Sequence, residues 1–94
     1  MRYVKVSWQH DFDNEPVLYL SELDDGGYEA RKVEFFRDGA ADWADETRET
    51  ETIGLSDVPF PTAEEIAAHS EFKVEEISSV EFEQAWRRVR ALSA

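Results

Sequence analysis

Two Asp-Gly turns constrain this chain more than any other feature. Asp24-Asp25-Gly26-Gly27 and Arg37-Asp38-Gly39 each separate runs rich in β-branched and aromatic residues. A tight hairpin needs positive φ at its turn, and glycine supplies it without steric penalty. Val17 to Leu23, Tyr28 to Phe36 and Ala40 to Ala44 therefore read as three consecutive antiparallel strands, a β-meander.

A further strand precedes them. From Tyr3 to His10 the residues alternate, with Val4, Val6 and Trp8 on one face and Lys5, Ser7 and Gln9 on the other. Asp11 to Pro16 breaks the run into a loop. In Val17 to Leu23 both faces carry apolar residues, which suits a central strand. Asp45 to Glu51 fits either an extension of the fourth strand or a loop. Gly54 to Pro61 reads as an irregular connection, and Phe72 to Ile77 fits a short edge strand without fixing it.

Two capping boxes announce helices. Thr62-Ala63-Glu64-Glu65 opens a short one running to about His69. Ser78-Ser79-Val80-Glu81 opens a longer one, which places Phe82, Ala85, Trp86, Val89 and Leu92 on a single stripe. The acids in its first turn and Arg87, Arg88 and Arg90 near its end suit the helix dipole. The expected fold is α+β: an antiparallel meander of about four strands, a possible fifth at the edge, and both C-terminal-half helices packed on one face. Ninety-four residues make one domain, 1–94.

Charge narrows the function. The chain has 22 acids against 10 Lys and Arg, a net charge of −12. Such a field repels nucleic acid and anionic membrane and attracts basic proteins. The expected partner is a basic protein, not nucleic acid and not a membrane. No cysteine is present, so disulfides and thiol chemistry are excluded and the cytoplasm is favoured. The alternating run that follows Met1-Arg2 gives no expectation of a leader, and no apolar run is long enough to span a bilayer.

Candidate chemistry is sparse. His10 and the Asp11, Asp13, Glu15 loop form the densest polar cluster. Asp11, Asp13, Glu15 and Glu22 match four ligand positions of an EF-hand, but Pro16 stands where that loop needs glycine. A looser hard-cation or catalytic site around His10 stays open as an alternative, although no cofactor and no metal centre are called for. No serine lies in a nucleophile frame, and no glycine-rich phosphate loop exists. Trp8 and Trp86 fit the core by periodicity. Trp43, among carboxylates near a sheet edge, is expected to be exposed and to serve as an interface anchor. Tyr19 and Tyr28 suit either core or interface. The interaction residues expected are thus Trp43, Tyr19, Tyr28, Asp11, Asp13 and Glu15.

Trp8-x-His10, Asp-x-x-Glu15-Pro16-Val17, Ser21-Glu22-Leu23-Asp24, the run from Gly27 through Glu34, Asp38-Gly39 and Glu81-Phe82-x-x-x-Trp86 also carry a resemblance. The chain resembles a family of small acidic bacterial domains of unknown function, common in actinobacteria. The resemblance implies a stand-alone bacterial domain and supplies no activity. Size and charge add an analogy to immunity proteins of toxin systems; mimicry of nucleic acid by spaced carboxylates is a further alternative.

Overall fold

The computed structural model describes residues 1–92. Its elements are β1 (Arg2–Trp8), β2 (Leu18–Leu23), β3 (Glu29–Phe35), β4 (Ala41–Asp45), α1 (Ala63–Ala67), β5 (Phe72–Glu76) and α2 (Ser79–Leu92). The strands form one antiparallel sheet in the order β4-β3-β2-β1-β5. β2 is central, as its two apolar faces demand, and the Phe72 segment is an edge strand paired to β1.

Both hairpins turn on positive-φ glycines, Gly27 at 83° and Gly39 at 91°. Asp24 Oδ1 accepts from the Gly26 and Tyr28 N–H groups, and Asp38 Oδ1 accepts from Ala40 N–H. After β4 the chain does not extend. Asp45 Oδ1 accepts from both the N–H and the hydroxyl of Thr47, which folds the backbone into a turn closed by an Asp45–Arg48 bridge. Thr62 Oγ1 accepts from Glu65 N–H, and Ser78 Oγ from Glu81 N–H, so each capping hydroxyl starts its helix.

The two helices take opposite faces, where one face was expected for both. α2 lies on the face of Leu20 and Val33, burying Phe82, Trp86 and Val89. α1 and the connection before it stand over the other face, across a cleft from Val6, Tyr19 and Lys32. The reason is topological. β5 pairs with β1 at the far edge from β4, so the chain between them must cross the sheet, and it does so on the face that α2 leaves uncovered.

α2 runs from β1, where Tyr3 meets Phe82 with centroids 5.3 Å apart, to the β4 edge, where Trp43 meets Trp86 at 5.2 Å. Its last turn has then passed the sheet. Leu92 is 58% exposed, and the expected apolar stripe ends at Val89. Val33, Phe82 and Val89 are fully buried, each worth about 1.5–3 kcal/mol of transfer free energy. Arg31 closes the α2 face. Its guanidinium holds Glu22 at 2.7 and 2.8 Å, reaches Glu83, and lies 4.9 Å from the Phe82 ring centre. Among the described residues no helix is long and apolar enough to cross a membrane.

Candidate functional site

The alternation that builds β1 continues beyond it. Val4 and Val6 are buried, and Trp8, His10 and Phe12 follow at the same spacing. Their rings form a contiguous ladder. Trp8 lies 4.1 Å from His10 and 6.1 Å from Phe12, and stacks on Phe72 of β5 at 5.6 Å. His69 meets Phe72 edge-on at 6.3 Å. Trp8, expected in the core, is half-buried in this ladder, and Phe12 at its tip is 62% exposed between Asp11 and Asp13.

His10 organises the loop. Its Nδ1 accepts from Phe12 N–H at 3.0 Å, which assigns the ring proton to Nε2, and Nε2 donates to the Pro16 carbonyl at 2.8 Å. Arg37 donates to the His10 carbonyl, tying the loop to the second hairpin. Both imidazole nitrogens are therefore committed to backbone.

The ladder leads into a cleft of about 410 Å³ on the α1 face. Val6, Phe60, Pro61, Ile66 and Phe72 supply apolar walls, and Tyr19, Lys32, Glu65 and His69 supply polar groups. The size falls within the range of ordinary ligand clefts. Burial, reinforced by the charges of Glu34 and Glu15, pushes the Tyr19 phenol up to about 12, so it stays a neutral donor. Lys32 Nζ sits 5.5 Å from the Tyr19 ring centre and 3.6 Å from Glu29.

Three carboxylates are buried in the sheet. Glu22 is neutralised by Arg31, whose hydrogen bonds hold it below the usual carboxylate range. Glu29 accepts from the Ser21 hydroxyl and from Ser56 N–H, which pins the connection over the sheet. Glu34 is different. It is 4% exposed, and its Oε2 has no hydrogen-bond partner among the described residues. Burial raises it to about 7, Lys32 opposes the rise, and Asp42, Glu15 and Glu29 add to it. Glu34 pairs in register with Tyr19 and shares its face with Lys32, so it lies beside the cleft that both line.

The expected interaction residues do not form one patch. Asp11, Asp13 and Glu15 are exposed in the loop, Tyr19 lines the cleft, and Tyr28 is 43% exposed at the first hairpin. Trp43 lies on the α2 face and is half-buried, contrary to the exposure expected of it. The Trp86 ring meets it edge-on, and Arg48 covers it at 4.0 Å. Its side chain points the way Val33 does across the register, toward the helix. Among the described residues no three His, Asp or Glu side chains converge as metal ligands. Phe12, Phe60, Ile66 and Phe72 join the site without having been expected in it. The alternation carried through Trp8, His10 and Phe12 was the available signal.

Sheet, crossing connection and cleft together define an acidic α+β domain with an aromatic, concave face opposite its long helix. A family model matches residues 2–91, and the chain belongs to that family, a domain of unknown function (DUF6881). Neither a curated protein nor a solved structure matches it.

Proposed function

We propose that this domain is a protein-binding module that engages a basic partner through the aromatic ladder and cleft of its α1 face. The observation that carries the reading is Phe12, 62% exposed between two aspartates and continuous through His10, Trp8 and Phe72 with the cleft. Exposed aromatics at the mouth of a concave site are the usual anchors of an interface. Surrounding carboxylates speed encounter with a cationic surface and also receive it. The charge is polarised to match: Arg87 and Arg88 are exposed on α2, across the sheet from the ladder.

In its sharpest form the partner is a basic toxin and the domain a cytoplasmic, bacterial immunity protein. Co-expression with basic proteins encoded beside it tests that form; rescue of growth supports it, and unrelieved toxicity from every neighbour overturns it. A metal-dependent or catalytic centre on His10, Asp11, Asp13 and Glu15 finds no supporting geometry, because both ring nitrogens of His10 are occupied. Affinity capture at low and moderate salt tests the general reading. Association that weakens as salt screens the charges is expected. Equal recovery by a Phe12→Ser variant would overturn it.

A further inference from the structure

The α1-face cleft holds an unbalanced set of charges. Glu15, Glu29, Glu34 and Asp42 all act on its neighbourhood. Asp42 is satisfied by Arg48 and by the Thr50 and Thr52 hydroxyls. Glu29 is satisfied by Ser21, Ser56 and Lys32. Glu34 keeps an oxygen with no partner at 4% exposure, next to a cleft that already has an aliphatic and aromatic wall. A buried carboxylate stays charged only where a cation compensates it. Lys32, 3.6 Å from Glu29 and on the same face as Glu34, is one cation shared between two buried carboxylates, so a second cation from outside would be needed for both to be charged.

We propose that the cleft receives one lysine or arginine side chain of the basic partner, its stem along Val6, Ile66 and Phe72 and its cationic head beside Tyr19, with Glu34 supplying the opposing charge. This rests on the module reading above. Long cationic side chains bury their methylenes against apolar surface while the head seeks a polar partner, and the lining offers both in that order. Lys32 already covers the Tyr19 ring, so the neutral Tyr19 phenol offers the head its hydroxyl oxygen as an acceptor. Contact with Glu34 is not required, because Coulomb coupling to a carboxyl only 4% exposed reaches past hydrogen-bond distance.

A proton competes with the guest for Glu34. The groups facing that carboxyl are Lys32 and Glu29 on its own strand, Asp42 on β4, Tyr19 on β2 and Glu15 from the loop, with Glu65 of α1 and His69 just after it lining the same cleft. The charge of Lys32 opposes protonation. Guest binding therefore expels the Glu34 proton, and affinity rises with pH through the neutral range.

The probes are pentylammonium and uncharged pentanol, followed by amide shifts of cleft residues and by the Glu34 carboxyl ¹³C titration. Pentylammonium is expected to shift Val6 and Ile66 and to lower the Glu34 midpoint by half a pH unit or more at saturation. Pentanol is expected to perturb the same amides and leave the midpoint in place. Glu34→Gln should bind pentanol as before and lose at least fivefold in pentylammonium affinity. Equal responses to the two probes, a stationary midpoint, or no binding of either overturns the proposal. A Glu34→Gln domain that still captures its basic partner at full strength overturns it while leaving the module reading intact.

Discussion

Glu34→Gln gives the strongest quantitative test of the buried face. The folded carboxyl is raised from an ordinary 4.5 to about 7, chiefly by burial. Its proton is therefore held more tightly in the folded chain than in the unfolded one. Folding is favoured by this group below about pH 4.5, and that contribution is lost as pH rises through about 7. At about 1.4 kcal/mol per pH unit, wild type should lose about 2.5 kcal/mol between about pH 5 and about pH 8 on account of Glu34 alone. Glutamine has nearly the same shape and no charge to desolvate. Urea unfolding of both proteins at both pH values isolates the effect, because every other titration cancels between them. The stability difference, variant minus wild type, should be more positive at the higher pH by about 2.5 kcal/mol. The same difference at both pH values would refute the claim that Glu34 is held away from water and without a partner.

Other perturbations address the remaining joints of the fold. Arg31→Met strands Glu22 in the sheet and should cost about 3–5 kcal/mol in urea unfolding, and Glu22→Leu in the same chain should recover most of it. Since Arg31 holds Glu22 low, that pair's stabilisation is present above the unfolded carboxylate value and should fade as pH falls below it. Gly39→Ala meets no neighbouring atom but forces φ 91° on an L-residue, so thermal melting should report a loss of about 1–2 kcal/mol from conformation alone. Ser78→Ala removes the hydroxyl that accepts from Glu81 N–H, and should lower stability by about 0.5–2 kcal/mol with fraying at the start of α2 visible in amide exchange.

What could be read from the sequence was local. Gly27 and Gly39 announce their hairpins because a positive φ is a property of one residue. Thr62 and Ser78 announce helix starts because a cap spans one turn. The alternation in Val4, Val6 and Trp8 gives a strand but not what covers it. Which face each helix takes follows from β5 joining β1, a pairing across some seventy positions that no window contains. Trp43 looks like an edge residue among acids until α2 crosses to β4 and covers it. Glu34 looks like one more polar position of a solvated face, yet the connection tied down at Ser56 and the Thr50 and Thr52 hydroxyls lies over that part of the sheet. The cleft draws on β1, β2, β3, the Phe60–Pro61 segment, α1 and β5, so its existence is a tertiary fact.

Paired capture of a basic partner from the encoding organism tests the proposal that binding resides on the α1 face. Phe12→Ser and Val80→Ser remove two side chains of matched exposure, 62% and 63%, one on the ladder and one on α2. Both variants should fold within about 0.5 kcal/mol of wild type, as exposed substitutions do. Phe12→Ser is expected to abolish salt-sensitive capture and Val80→Ser to leave it unchanged. Capture lost with Val80→Ser and kept with Phe12→Ser would place the interface on the other side of the sheet and contradict the proposal.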